Sequence, residues 1–182
     1  MHHIGTQRIE TERLVLRPFV LEDAAPMYRN WASDPEVTKY LTWQTHQNPS
    51  VTHMVIDSWL KRYNELNYYH WTVELRSLGE PIGSISGVRI DESKGSVEIG
   101  YCIGRPWWGH GLVAEAVRTL MAFFFEQVGV EQVVACHHPD NPNSGRVMQK
   151  CGMVFTGMKH SEEKGIDLCW YALPCEAYFL KR

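Results

Sequence analysis

The stretch from Ser96 to Ala116 constrains the fold most strongly, because it joins a buried strand, a glycine turn and a helix in that order. Apolar alternation predicts a strand over Ser96 to Ile103, and apolar periodicity predicts a helix from about Gly111 to Val128. Between them lies the turn Gly109-His110-Gly111. A helix that begins in such a turn presents unpaired backbone N–H groups and the positive end of its dipole, which together bind phosphate. The sequence therefore predicts a phosphorylated ligand beyond the end of this strand.

The glycine turn alone does not identify the ligand, since a Gly-x-Gly sequence before a helix is as often a plain tight turn. Two known phosphate motifs are excluded. The dinucleotide-binding fingerprint has a third glycine where this chain has Ala114, and the Gly-Lys-Ser/Thr triplet of the P-loop does not occur in the sequence. Backbone N–H groups are therefore left as the main donors to a phosphate.

A second strand-to-helix unit follows later in the chain. Val133 to Cys136 is a short apolar strand, Asp140 or Asn141 suits the N-cap of a helix, and Gly152 suits the position after its end. Two adjacent strands that each lead into a helix form a cleft at their carboxyl ends. We therefore expect both helix starts to contribute to one ligand site.

Four motifs resemble the GNAT superfamily of acetyl-CoA-dependent N-acetyltransferases, and most closely its branch of ribosomal-protein N-terminal (alanine) acetyltransferases. In the order and spacing of that family, over about Arg8 to Pro174, the chain carries Glu-Thr-Glu-Arg-Leu-Val-Leu-Arg-Pro (10–18), Glu-Ile-Gly-Tyr (98–101), Trp-Trp-Gly-His-Gly-Leu-Val-Ala-Glu-Ala (107–116) and Asn-x-x-Ser-x-Arg-Val-Met-x-Lys-x-Gly (141–152).

The resemblance implies an α/β (α+β) fold of the GNAT type. In that fold a mixed, mostly antiparallel, twisted sheet of about seven strands splays at its centre and is flanked by helices on both faces. The alternation of Ile9 to Arg17 predicts the first of these strands. No Pro-rich or Gly-rich linker divides the chain, so we expect a single domain over residues 1–182.

The resemblance also implies a reaction, in which an acetyl group passes from acetyl-CoA to a primary amine by direct attack in a ternary complex. The amine belongs either to a protein N-terminus or to a small molecule, and the scattered Lys and Arg residues mildly favour a small molecule. Two other functions stay open. One is a catalytically inactive acyl-CoA-binding sensor, and the other is an unrelated α/β domain that binds a different nucleotide.

Glu98 and Ser144 are the expected catalytic residues. Glu98 lies in a mostly apolar strand, where a carboxylate is costly to bury, and it would accept the amine proton directly or through water. Its alternative is an ion pair with Arg89. Many family members carry a tyrosine seven residues after the motif Asn, where this chain has Met148, whose thioether cannot donate a proton. Ser144 would then donate to the leaving sulfur, or else satisfy its own helix backbone.

The resemblance further implies which groups bind acetyl-CoA. A backbone N–H near Cys102 and Ile103 would polarise the thioester carbonyl, and amides from Trp108 to Ala114 would bind the phosphates. Asn141 would hold the pantetheine or cap its helix, while His110 and Arg146 would contact phosphates or form an exposed polar face. The full predicted set is Tyr101, Cys102, Ile103, Trp108, Gly109, His110, Gly111, Leu112, Val113, Ala114, Asn141, Ser144 and Arg146.

Three aromatic residues, Trp31, Tyr40 and Trp43, fall in the first helices and the following loop, the region that covers the acceptor site in relatives. Together they are expected to wall the amine pocket and exclude water, although each alone is typical of a core. The adjacent pair His137-His138 is not expected to bind a metal. Neighbouring strand residues point to opposite faces, and no third ligand has suitable spacing.

Net charge and composition limit the kinds of partner that the sequence leads us to expect. A net charge of −3 gives no electrostatic reason to expect nucleic acid or an anionic membrane as a partner, and no apolar run is long enough to span a bilayer. Five cysteines, an odd number without a Cys-x-x-Cys pair, indicate reduced thiols and a cytoplasmic protein. We expect acetyl-CoA and an amine as the ligands, no metal, and a monomer or homodimer.

Overall fold

The computed structural model describes residues 1–162 and 165–180, which form a mixed α/β structure with a mostly antiparallel sheet. The strands are β1 (Ile9–Glu10), β2 (Leu14–Arg17), β3 (Tyr69–Leu75), β4 (Glu80–Asp91), β5 (Ser96–Ile103), β6 (Gln132–His137), β7 (Val154–Ser161) and β8 (Ile166–Pro174). The α-helices are α1 (Ala24–Met27), α2 (Pro35–Thr38), α3 (Pro49–Leu60), α4 (Leu112–Phe123), α5 (Pro142–Lys150) and α6 (Cys175–Leu180). Shorter 3₁₀ and π turns connect several of them.

The hydrogen-bonded strand order is β1-β2-β3-β4-β5-β6-β8-β7. β2 lies antiparallel to both β1 and β3, and β8 lies antiparallel to both β6 and β7, whereas β5 and β6 are parallel. This pattern confirms the mixed, mostly antiparallel sheet expected from the sequence. β5 has the bounds that the sequence predicts.

Among the described residues the sheet has eight strands where the sequence predicts about seven, because the segment Ile9 to Arg17 is a hairpin and not one strand. Ile9 pairs with Leu16 across a tight turn. The Thr11 backbone N–H donates to the Leu14 carbonyl at 2.9 Å, and the Leu14 N–H donates to the Thr11 hydroxyl at 2.9 Å. A threonine that hydrogen-bonds nearby backbone in this way reverses the chain where alternation alone predicts that it continues.

The chain divides into two compact units, and β4, β5 and α4 each run through both. The first unit comprises residues 3–86 and 101–119. Its core includes Phe19, Met27, Trp31 and Ile56, all at most 1% exposed. The second unit comprises residues 1–2, 87–100 and 120–182, and its buried residues include Phe124 and Val133. The single domain over residues 1–182 stays a prediction.

Helix ends follow local sequence. α3 begins after Asn48, whose side chain accepts from the Val51 N–H at 3.2 Å. α4 continues as a π turn to Val128 and stops at Gly129, where φ is +74°. The predicted helix from Gly111 to Val128 is therefore found. In the described part of the chain, no helix combines the length and the apolar character needed to cross a membrane.

Candidate active site

The turn before α4 requires both of its glycines. Gly109 and Gly111 have φ of +79° and +76°, a region in which residues with a Cβ are strained. A Cβ added to Gly109 would meet no atom within 4 Å, so backbone conformation and not crowding selects glycine there. The left-handed residues reverse the chain after β5 and allow α4 to begin at Leu112.

The start of α4 offers open hydrogen-bond donors. Within the described residues, the backbone N–H groups from Gly109 to Val113 donate no hydrogen bond, whereas the N–H of Glu115 donates to the Gly111 carbonyl at 3.1 Å. Gly109, His110 and Gly111 are also exposed. Unpaired N–H groups at the positive end of a helix dipole form a site for an anion such as phosphate.

Trp108 differs from the expectation that its amide binds phosphate. Its backbone N–H donates to the Arg105 carbonyl at 3.1 Å and closes the turn Arg105–Trp107, while its indole N–H donates to the Ile103 carbonyl at 2.8 Å. Both donors are thus used within the protein. The ring of Trp108 remains 44% exposed and is the part of this residue that a ligand can touch.

His110 and Arg146 are both exposed, as either of their two interpretations requires. The His110 Nδ1 lies 2.9 Å from the Trp108 carbonyl and therefore donates to it. The Arg146 guanidinium donates to the Asn143 side chain at 2.8 Å on the same face of α5. Their contacts with CoA phosphates stay predictions.

The turn is held by residues that the sequence analysis quoted but gave no role. Arg13 donates to the His110 carbonyl at 3.0 Å and to the Glu115 carboxylate at 2.7 Å, and Thr11 donates to the same carboxylate at 2.5 Å. Arg13 and Glu115 are charged residues that lie in two of the family motifs, 102 positions apart, and their charges were the sequence signal for this contact. Sequence alone did not show that they meet.

Glu98 is mostly buried and lies where the pairing of β5 with β6 ends. Its side chain is 14% exposed, and it is the last β5 residue in the described parallel register, opposite Val134. The Cys136 thiol donates to one carboxylate oxygen at 3.5 Å, and the Arg89 guanidinium lies 3.7 Å from the other. The predicted pairing with Arg89 is therefore present, beyond hydrogen-bond distance. The role of Glu98 as a base stays a prediction.

The start of α5 is capped by its own residues. Asn141 accepts the Ser144 N–H through its side-chain oxygen at 3.4 Å and through its carbonyl at 3.2 Å, and Pro142 occupies the first turn. The predicted N-cap at Asn141 is therefore found. Ser144 is half-buried in this first turn. Its role toward a leaving sulfur stays a prediction.

Gly145, next to Ser144, allows α5 to lie close to His137, a half-buried residue whose Nε2 atom is buried. A Cβ at Gly145 would be 2.6 Å from His137 Nε2 and 3.1 Å from the Tyr171 hydroxyl. His137 donates through Nδ1 to the His138 carbonyl at 2.8 Å, and its buried Nε2 has no hydrogen-bond partner among the described residues. His137, one of the two adjacent histidines that are predicted not to bind a metal, thus packs against α5 at Gly145. Within residues 1–162 and 165–180, no three His, Cys, Asp or Glu side chains are grouped to bind a metal ion.

Cys102 is not suited to nucleophilic catalysis. Its thiol lies 3.3 Å from the Ser84 hydroxyl, and burial raises the pKa of the Cys102 thiol above its ordinary value. A thiol with a raised pKa is protonated at neutral pH and reacts poorly. Direct transfer stays a prediction.

The three aromatic residues expected at the acceptor pocket are not alike. Trp31 is 0% exposed and lies in the core of the first unit, with its indole N–H buried and without a partner among the described residues. Its predicted contact with the acceptor is therefore corrected, because this side chain has no surface to offer. Tyr40 and Trp43 are half-buried, and the Trp43 ring lies 5.1 Å from that of His46. Both retain exposed area for a ligand.

Comparison with known proteins decides the family. The model of the acetyltransferase (GNAT) domain matches residues 13–154. The chain belongs to the GNAT family. Over 92% of its length it is 30% identical to the uncharacterized N-acetyltransferase p20 of Bacillus licheniformis, of which the match covers 96%. It is an acetyl-CoA-dependent N-acetyltransferase.

The resemblance to the ribosomal-protein branch is also confirmed. The chain is 26% identical, over 82% of its length and 79% of the relative's, to the ribosomal protein uS5-alanine N-acetyltransferase of Escherichia coli. Among solved structures, a GNAT-family acetyltransferase from Bacillus anthracis aligns with a TM-score of 0.81 and 24% identity, over 93% of this chain and 99% of the other. The structural likeness supports the GNAT fold.

Proposed function

We propose that this protein transfers the acetyl group of acetyl-CoA to a primary amine by direct attack within a ternary complex. The observation that carries the proposal is the start of α4, where the N–H groups from Gly109 to Val113 are open and two left-handed glycines hold the turn. These donors would bind the CoA phosphates. Family membership supplies the acetyl donor, and the open donors of the turn support the proposed place of its phosphates.

Glu98 would act as the base. The attacking amine must be neutral. The mostly buried carboxylate of Glu98 would take its proton, directly or through water, as the new C–N bond forms. A backbone N–H near Cys102 and Ile103 would stabilise the oxyanion of the tetrahedral intermediate. The C–S bond then breaks, the acetylated amine leaves, and CoA departs as the thiolate.

Ser144 would stabilise that thiolate by donating a hydrogen bond to the sulfur, while Asn141 orients the first turn of α5 that carries it. The place of Ser144 in the first turn of α5 and the family motif support this role. Tyr40 and Trp43 would wall the amine pocket, since both keep exposed aromatic surface.

The acceptor is a primary amine of a protein N-terminus or of a small molecule. The Escherichia coli relative is named for a ribosomal protein N-terminal alanine, which favours testing such peptides first. The scattered basic residues favour small amines. One acetylation screen, with N-terminal alanine and serine peptides beside metabolite and antibiotic amines, separates these acceptors.

The proposal is tested by binding and turnover together. Wild-type protein should gain thermal stability with acetyl-CoA and CoA but not with ATP or NAD, because a ligand of the native state raises the melting temperature. Glu98→Gln and Ser144→Ala should lower kcat on the best amine more than they raise KM for acetyl-CoA. CoA binding without turnover on any amine would instead support the acyl-CoA sensor. Stabilisation by ATP or NAD alone would contradict the proposal.

A further inference from the structure

Arg13, on the turn between β1 and β2, contacts both the Gly-His-Gly turn and the first turn of α4. Its Nη1 donates to the His110 carbonyl at 3.0 Å, and its Nε and Nη2 lie 2.7 and 2.6 Å from the Glu115 carboxylate. The Glu115 side chain is only 16% exposed. It also accepts from the Thr11 hydroxyl at 2.5 Å and from the Arg13 backbone N–H at 3.2 Å.

The contact with the His110 carbonyl sets the direction of the next donor. In a trans peptide plane the carbonyl and the following N–H point in opposite directions. Because Arg13 holds the oxygen of the peptide between His110 and Gly111, the Gly111 N–H is directed away from the guanidinium. That N–H is one of the open donors at the start of α4.

The contact with Glu115 removes an electrostatic obstacle. A carboxylate in the first turn of a helix is stabilised by the helix dipole, but it also repels a phosphate placed at that helix start. The charge-assisted pair with Arg13, whose Nε and Nη2 both contact one carboxylate oxygen, offsets the charge of Glu115. The same pair holds the guanidinium in the orientation that reaches the His110 carbonyl.

We infer that Arg13 is a positioning residue for the phosphates of acetyl-CoA, acting through the His110–Gly111 peptide, and that Glu115 orients Arg13. The inference rests on the proposed binding of acetyl-CoA at this turn. Each guanidinium nitrogen of Arg13 already contacts Glu115 or His110, which favours a contribution through the shape of the backbone site over an ion pair with the ligand.

Two conservative substitutions separate positioning from direct contact with phosphate. Arg13→Lys keeps the positive charge but loses the planar guanidinium fork. Glu115→Gln frees Arg13 from its carboxylate partner, which would strengthen a direct ion pair with phosphate but weaken a positioning role. Arg62→Lys is the matched control, since Arg62 lies in the same unit and forms an exposed pair with Glu65 at 2.9 Å.

The readout compares two acetyl donors by calorimetry and by KM: acetyl-CoA, and acetyl-pantetheine, which lacks the phosphates. Arg13→Lys and Glu115→Gln should each weaken acetyl-CoA by about tenfold, the size of one charge-assisted hydrogen bond, and leave acetyl-pantetheine unchanged. Arg62→Lys should change the affinity for neither donor. Melting curves without ligand show whether each variant is folded.

Three results would overturn the inference. These are unchanged acetyl-CoA affinity in Arg13→Lys, equal losses for both donors, and tighter acetyl-CoA binding in Glu115→Gln. The last would make Arg13 a direct phosphate ligand. If wild-type protein bound no acetyl-CoA, the proposed function would fail first. If wild type bound it and the variants bound it equally well, only the inference would fail.

Discussion

The two helix starts that carry the proposed acetyl-CoA contacts are built in opposite ways. α5 is closed by its own sequence, because Asn141 accepts the Ser144 N–H and Pro142 needs no hydrogen bond of its own. α4 instead begins after a turn with two left-handed glycines. Its donors from Gly109 to Val113 stay open, and the turn is held by Arg13 from a distant part of the chain.

The difference shows how a protein keeps a binding surface open without losing its shape. A local cap satisfies a helix start but uses the donors that a ligand would need. An arginine from a distant part of the chain that donates to a carbonyl of the turn fixes the backbone there without using the N–H groups of the helix start. The open start suits phosphates, which need several donors, whereas the closed start suits a single side chain, Ser144, that must be held in place.

The largest expected effect comes from filling the open start. Gly111→Glu places a carboxylate among the donors and forces a left-handed φ on a residue with a Cβ, at a cost of about 1–2 kcal/mol. Acetyl-CoA affinity, measured by calorimetry, should fall by at least about 100-fold because the charge repels the phosphates. Gly79→Glu is the control, with φ of +68° and open space at its Cβ. It should lose similar stability but no affinity. Unchanged affinity in Gly111→Glu would remove this turn from the account.

Crowding the closed start tests whether α5 must lie close to its neighbours. Gly145→Ala puts a Cβ 2.6 Å from His137 Nε2, and such overpacking costs roughly 1–3 kcal/mol of unfolding free energy. Turnover should fall as well, since Ser144 moves with Gly145. Adding His137→Ala should recover part of both losses, which a double-mutant cycle by urea denaturation measures. Additive losses, with no recovery, would show that this contact is not the cause.

Removing the N-cap of α5 tests whether that cap contributes to folding stability alone or also to acetyl transfer. Asn141→Ala and Asn48→Ala each delete an N-cap that precedes a proline, and each should cost about 1 kcal/mol in thermal unfolding. Only Asn141→Ala should also lower acetyl transfer, because α5 carries Ser144 and α3 carries no proposed catalytic residue. Equal activity in the two variants would mean that the cap of α5 serves folding alone.

The smallest expected effect is a pH dependence of folding stability through Glu115, which lies in the first turn of α4. Burial raises the pKa of Glu115, but the hydrogen bonds from Thr11 and Arg13 outweigh it and hold that pKa below its ordinary value of 4.5. A lowered folded-state pKa stabilises the protein above pH 4.5, and this stability is lost as pH falls through the folded value. Wild type should therefore be more stable than Glu115→Gln at pH 6, with the difference shrinking below about pH 4.5. A difference that stays constant down to acid pH would contradict this role of Glu115.

Features set by neighbouring residues were predictable from the sequence. The bounds of β5, the glycine turn and the Asn141 cap each depend on a few adjacent residues, and the structure has them as expected. The motif order was enough to identify the GNAT family and its fold. The donors at the start of α4 were predictable for the same reason, because the two glycines of the turn and the start of the helix are adjacent in the sequence.

Features set by distant contacts were not predictable. Arg13 and Glu115 meet across 102 positions, and no periodicity signals such a pair. The burial of Trp31 depends on packing against Phe19 and Ile56, which no local pattern reveals. Trp108 was expected to offer its amide, but the proline-containing turn before it takes that N–H.

The most direct test follows the backbone N–H signals of Gly109 to Val113 and of Asn143 to Gly145 by NMR while acetyl-CoA and then acetyl-pantetheine are added. The account predicts large shifts at Gly109 to Val113 with acetyl-CoA, and little change there with acetyl-pantetheine, because only acetyl-CoA brings phosphates to the open donors. Signals near Ser144 should respond to both ligands. Saturating acetyl-CoA that leaves Gly109 to Val113 unmoved would contradict the claim that the open start of α4 binds the phosphates.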